Sequence, residues 1–320
     1  MYTGSRTYEE SRVGGDHSPK VSRSSGNEIV ERCAIAGLIL VAITVVGIAS
    51  ISHEFSRKEA NAKNAQPKTT ESPKSADFVQ GMQFLIDNDH GAAFASFTRE
   101  LAANKNSVEA MIGRGVALAR IGEFVKAEAD FLAAVRLRQN ASAIYMNLAH
   151  TRDKNSDFPG AIENYTRAIS LDPNLLSAYG NRARCFFSRG QYSQALDDLS
   201  HVIRLDTRNP LAYLNRAITL ARLSRFETAI TNLSHPSLEG VTTQETRKLA
   251  ALLQLQSGNA IDSLRTSQLG LDRNPSDTDF RLLSFAAMKL LAEAEPGLSS
   301  AASLAWTTAR DELGSDYEVL

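Results

Sequence analysis

Three asparagines, Asn147, Asn181 and Asn215, stand 34 residues apart in this chain. A carboxamide offers both a donor and an acceptor, so a ladder of them suits pairing with the backbone of an extended peptide. Around the ladder in sequence lie Met146, His150, Arg184, Phe187, Leu214 and Ile218, with Ile112 and Val116 upstream. Together they read as an apolar trough with His150 and Arg184 near its middle, a surface able to accept a hydrophobic peptide or helix carrying one acidic group. The pattern nominates Arg184 for the anionic contact, since a guanidinium can grip a carboxylate through two parallel hydrogen bonds.

Bond-making chemistry has no comparable support. His17, His53, His90, His150, His201 and His235 never fall four residues apart, and none sits with cysteines at zinc-ligand spacing. Of the two cysteines, Cys33 borders an apolar run, and Cys185, next to Phe186, reads as a small buried apolar side chain. No glycine-rich loop is followed by Lys and Ser or Thr, and there is no Gly-x-Ser-x-Gly elbow. Adjacent carboxylates such as Asp197 and Asp198 diverge by about 100° on a helix and do not face one site. The expectation is a protein that is not an enzyme, with no catalytic, cofactor-binding or metal residues. A net charge of -1, with basic and acidic residues interspersed, supplies no basic face for nucleic acid.

The elements that must position the trough announce themselves by period. Ala93, Ala127, Ala161, Ala195 and Ala229 recur every 34 residues, with Ser263 sixth. Twelve residues before each stand Gly81, Gly115, Ala149, Ala183, Ala217 and Ala251. Small residues at two fixed points of such a period mark stacked helical hairpins, because a glycine or alanine on each helix lets the backbones approach. Large side chains fill the slots that neighbouring hairpins share. These are Met111, Tyr145, Tyr179 and Tyr213, then Phe124, Phe158, Tyr192 and Phe226, then Phe97, Phe131, Tyr165, Leu199 and Leu233. Gly122, Gly190 and Gly258 share the turn slot with Asn88, Ser156 and Ser224.

In this register, most clearly over residues 142–209, the chain resembles the tetratricopeptide-repeat family. The resemblance implies an all-α fold, a solenoid of antiparallel helix hairpins whose first helices line a concave binding groove. About six units fit between residues 74 and 277. The asparagine slot is common to the family, so its presence alone does not fix a ligand. A subclass that clamps terminal carboxylates is matched in Tyr179-Gly180-Asn181-Arg182-Ala183 and Tyr213-Leu214-Asn215-Arg216-Ala217. The clamp's further Lys and Asn would fall at Met146 and His150, and its Lys and Arg at Leu211 and Asn215, which argues against that function. End effects are visible too: Asp77 and Glu100 occupy apolar slots of the first unit, as where one face meets water. Pro236 should end the second helix of the fifth unit near Ser234 and leave His235 to Thr243 as loop. Arg247 and Gln254 weaken the sixth unit.

Cys33 to Ser52 runs without a charge. Roughly 20 helical residues span a hydrocarbon core of about 30 Å, so residues 33–52 are expected to form one transmembrane helix. A polar segment, residues 1–32, precedes it and is expected to be a disordered tail; residues 53–73, with two prolines, read as a flexible linker. Lys20, Arg23 and Arg32 on one side nearly balance Arg57, Lys58, Lys63 and Lys68 on the other. A short leading tail in the cytoplasm would place the array in the periplasm or its equivalent if the chain is bacterial. Residues 278–320 are expected to hold capping helices, with Phe280, Leu283, Leu290 and Leu291 on related faces and another helix from about Ser299, before an acidic tail with Asp311, Glu312, Asp316 and Glu318.

The readings converge on a single-pass, membrane-anchored scaffold or adaptor that binds a protein or peptide in the concave groove. The alternative is a regulatory subunit or substrate receptor of a membrane-associated enzyme or of a secretion or envelope complex.

Overall fold

A computed structural model of the protein describes residues 75–238 and 243–294. The expected tail, transmembrane span and linker (1–32, 33–52 and 53–73), and the helix from about Ser299 with the acidic tail after it, lie outside the described residues. Thirteen α-helices and no strand are present among the described residues. Twelve form six hairpins: α1 (Ala76–Ile86) with α2 (His90–Ala103), α3 (Val108–Arg120) with α4 (Phe124–Leu137), α5 (Ser142–Lys154) with α6 (Phe158–Leu171), α7 (Leu176–Ser188) with α8 (Tyr192–Leu205), α9 (Pro210–Arg222) with α10 (Phe226–Leu233), and α11 (Gln244–Gln256) with α12 (Ala260–Leu271). The last, α13, spans Thr278–Ala294. No helix of the described residues is long and apolar enough to cross a membrane.

Local chemistry sets the boundaries. Side chains of Ser75, Asp89, Ser107, Asp157, Asn209, Thr243 and Asn259 accept from the free amides at helix starts. At every hairpin turn one residue takes a left-handed φ, from 57° to 89°, at Asn88, Gly122, Ser156, Gly190, Ser224 and Gly258. The amide that follows each of them closes back on the last turn of the first helix, as Asp89 to Phe84, Glu123 to Leu118 and Asp157 to Arg152 at 2.8–2.9 Å. This repeated closure fixes the angle at which the second helix returns.

Packing then follows from side-chain size. Ala93, Ala127, Ala161, Ala195 and Ala229 are wholly buried, and the Ser263 hydroxyl donates to the Ala251 carbonyl at 2.7 Å. Phe97 on α2 fills the space between two successive first helices. A Cβ at Gly81 would stand 2.9 Å from its ring, and one at Gly113 only 2.4 Å. Phe131 meets Gly115 in the same way. First helices of neighbouring hairpins touch one another, α1 with α3, α3 with α5 and α5 with α7, while the second helices stand further apart. The first helices therefore form the inner wall of a curved stack.

Two expectations change. Glu100 does not face water; it is buried and accepts the hydroxyl of Ser75. The segment after Ser234 is not loop throughout, because Pro236–Leu238 forms a 3₁₀ turn that buries Leu238 beside Val202 and Tyr213. In the segment expected to cap the array, α13 begins in phase with the starts of α5, α7, α9 and α11. Phe280 and Leu283 bury themselves against the sixth hairpin, and Lys248 of α11 holds Asp277 and Asp279 at 2.9 Å each. Burial alone would lower the Lys248 pKa, but hydrogen bonds to the two carboxylates outweigh it and raise it.

Gly113→Ala is expected to destabilise the array by about 1–2 kcal/mol. The methyl strikes a Phe97 ring that is wholly enclosed, which outweighs the roughly 1 kcal/mol that alanine gains in helix propensity. A lowered midpoint in urea unfolding followed by circular dichroism is the expected readout; an unchanged or raised midpoint would contradict the wedge.

Candidate peptide-binding groove

A notch opens on the inner wall between the fourth and fifth hairpins, where Arg184, Phe187, Asn215, Ile218 and Thr219 surround Leu199. It is shallow and opens to solvent. The wedge slot changes character here. Phe97, Phe131 and Tyr165 carry rings at the wedge slot, and Leu199 does not. Here, too, α7 and α9 meet less closely than the first helices before them. A missing ring leaves an apolar recess.

Four of the residues that the sequence nominates are thus brought together: Arg184, Phe187, Asn215 and Ile218. Others are not. Met146 packs into the third hairpin's core with Ala149 and Tyr165, and Leu214 bridges two core clusters. Ile112 and Val116 pack beside Phe131 and Leu148. Asn147, Asn181 and Asn215 are half-buried at the seams between hairpins, in the slot that Gly113 occupies earlier. None of the three carboxamides makes a side-chain hydrogen bond among the described residues; only the main-chain carbonyls of Asn147 and Asn215 are engaged, by Thr151 and Thr219.

Arg184 requires a correction. Its guanidinium forms an ion pair with Asp153, whose side chain is 1% exposed, so its charge is already neutralised and is not the free anionic contact expected of it. Burial lowers its pKa. Asp153 also accepts from the Cys185 thiol at 3.6 Å, and burial pushes that thiol up to about 11, which keeps it protonated and unreactive. His150, one hairpin earlier in the slot of Arg184, is lowered to about 4 by burial first and then by the charges of Lys154, Arg184 and Arg120. It is neutral at physiological pH.

Two repeating features escaped the sequence reading. The first is a polar clamp inside hairpins. Arg114 donates twice to Asp130 at 2.7 and 2.8 Å, Arg182 twice to Asp198 at 2.6 and 2.8 Å, and Arg216 to Asn232 at 2.6 Å. The hydrogen bond to Asp130 raises the Arg114 pKa, whereas burial raises that of Asp198 against the pull of Arg182. The signal was an Arg followed sixteen residues later by Asp or Asn. The second is a cover over the aromatic slot, 22 residues on: His201 stacks on Tyr179 at 4.1 Å, His235 on Tyr213 at 3.7 Å, and Arg167 lies over Tyr145 at 5.8 Å. Among the described residues no cluster of histidine, cysteine and carboxylate side chains is disposed to hold a metal ion.

Residues 80–142 and 146–206 match the family profile of the tetratricopeptide repeat. No curated protein matches the chain. Among solved structures, the C-terminal part of a TPR repeat-containing protein from Cytophaga hutchinsonii is similar with a TM-score of 0.57 and 16% identity, over 68% of this chain and 95% of that one. PilF of Pseudomonas aeruginosa gives 0.54 at 14% identity, over 64% and 94%. A tetratricopeptide repeat protein from Parabacteroides merdae gives 0.52 at 17% identity, over 76% and 94%. At these identities the likeness establishes the fold alone.

The depressed His150 pKa makes a stability prediction. Unfolded, the imidazole binds a proton near pH 6.5; folded, it waits until about 4, so acidification through that window favours the unfolded chain. His150→Gln should remove a loss of up to roughly 3 kcal/mol between pH 7 and pH 4. Urea midpoints measured across that range should fall less steeply for the variant than for the native protein, and equal slopes would count against a buried neutral imidazole.

Proposed function

Starting from the premise that the chain belongs to the tetratricopeptide-repeat family, we propose that it is a non-catalytic scaffold that holds a protein or peptide segment along its inner wall. The observation that carries this reading is the recess at Leu199. It joins an apolar floor to the idle carboxamide of Asn215, a pairing that suits an apolar side chain with its main chain alongside. The wall also keeps Asn147 and Asn181 unengaged, so an extended segment would find further partners along the stack.

The scaffold is proposed to be tethered by residues 33–52, whose charge-free run of twenty residues supports a single membrane span, with residues 53–73 as a spacer. In a bacterial cell the array would then stand on the extracytoplasmic side.

A photo-crosslinking amino acid at position 215 should capture a discrete partner in cells, and the same group at Val125 on the outer face should not. Adding Leu199→Phe, which supplies the missing ring, should reduce capture from position 215 at least fivefold while leaving thermal stability equal or higher. Equal adducts from both faces would defeat the groove reading. For the tether, the full chain should sediment with membranes through alkaline carbonate, and deletion of residues 33–52 should move it to the supernatant.

A further inference from the structure

Asn147, Asn181 and Asn215 occupy the same position of α5, α7 and α9, and that interval limits what can lie along them. All three are half-buried, with carboxamides that no described side chain engages. The ladder also has ends. The same slot holds Val79 in α1, Gly113 in α3, where the Phe97 ring closes it, and Leu249 in α11, which is 1% exposed. Three rungs are therefore available, one per hairpin.

Packed helices stand roughly 8–10 Å apart, so a ligand crossing the first helices must offer equally oriented main-chain groups at steps of about that size. A β-strand does not. Its orientation returns every two residues, about 6.7 Å, and the third residue faces the opposite way. An α-helix returns to the same face after seven residues, about 10.5 Å, but its main-chain groups are bonded within the helix. Polyproline II has three residues per turn at about 3.1 Å rise, hence a repeat of about 9.3 Å, and it makes no internal hydrogen bonds. Of the three forms, it matches the step and leaves its N–H and C=O groups open to a carboxamide.

The side chains of the wall suit the same ligand. Phe187, Leu199 and Ile218 make the recess beside Asn215 apolar. The Phe187 ring is held edge to face by Tyr192 at 5.3 Å and lies under the Arg222 guanidinium at 5.9 Å. A fixed aromatic ring beside an apolar recess is a seat for a prolyl side chain. Arg184, one turn beyond the middle rung, is already paired with Asp153, so this stretch of wall does not call for a charged ligand.

We propose that the inner wall takes a partner segment of polyproline II form. Residues n, n+3 and n+6 of that segment set non-proline main-chain groups against the three asparagines, and an apolar or prolyl side chain enters the recess at Leu199. The proposal rests on the groove reading and gives its ligand a conformation and a three-residue period.

The test measures fluorescence anisotropy with the full chain in detergent micelles and two labelled twelve-residue peptides. One is four repeats of Pro-Pro-Leu; the other has the same composition with no two leucines three or six apart. The periodic peptide should bind tighter by roughly fivefold or more, and N-methylation of its leucines, which removes the donors, should cancel the advantage. Asn181→Ala is the deciding variant, because a strand could reach the outer rungs through residues six apart while leaving the middle one idle. It should weaken the periodic peptide as much as Asn147→Ala and Asn215→Ala do, each by roughly threefold or more, with the helical signal unchanged. Equal affinity for the two peptides, no binding of the periodic one, or indifference to N-methylation or to Asn181→Ala would overturn the inference. If the peptides fail while position 215 still captures its partner, only the conformation and period fall; if both fail, the groove reading falls with them.

Discussion

The ring of Phe97, pressed between Gly81 and Gly113, represents the contact on which the stack depends. One side chain from a second helix must fit between two consecutive first helices, so its size sets how closely they approach and how far the outer helices splay. Phe131 and Tyr165 continue the series, buried to 1% exposure or less. Curvature, and with it the existence of an inner wall, is therefore a property of a slot repeated every 34 residues. Leu199 is informative because it satisfies the slot in polarity but not in volume, and the wall opens there. A site can arise in a repeat protein by subtraction, from one residue too small for its place.

Electrostatics divides along the same geometry. Within hairpins, arginines of the first helix are matched to Asp130, Asp198 and Asn232 of the second, and these pairs lie between the helices where water is scarce. Such pairs orient helices more than they stabilise them, since desolvation offsets much of the attraction. The pair of Arg184 with Asp153 crosses from the fourth hairpin to the third and keeps a guanidinium on the wall without leaving its charge free. Arg120 and Lys154 are exposed at the ends of their helices, where a cation complements the helix dipole.

Much of this architecture was legible because close packing forces residue type at fixed intervals. Ala93 to Ser263 gave the period, and the turn slot from Asn88 to Gly258 gave the hairpin boundaries, since left-handed φ admits few residue types. The site was only partly legible. Periodicity places Arg184 and Ile218 on one wall but carries no information on whether an arginine already has a partner, and Asp153 stands in a slot where other hairpins carry Ala119, Phe187 and Ala221. Met146 and Leu214 fell adjacent to the ladder in sequence and yet turn about 100° away from it into the core. Glu100 looked like a solvent-facing end residue because its partner, Ser75, lies 25 residues earlier, beyond any local pattern.

The polar clamp is unevenly distributed, and that has a bearing on how the stack comes apart. In the first hairpin its positions are held by Gln80 and Ser96, joined only through an exposed arginine, Arg99. At the opposite end, Lys248 fastens α11 to the segment entering α13, over the ring of Phe280. Stability in a linear array is a sum of nearest-neighbour terms, so opening starts where those terms are smallest. Amide exchange would enter from residue 75 and advance hairpin by hairpin, and the α1 face would be the first surface lost when the protein warms.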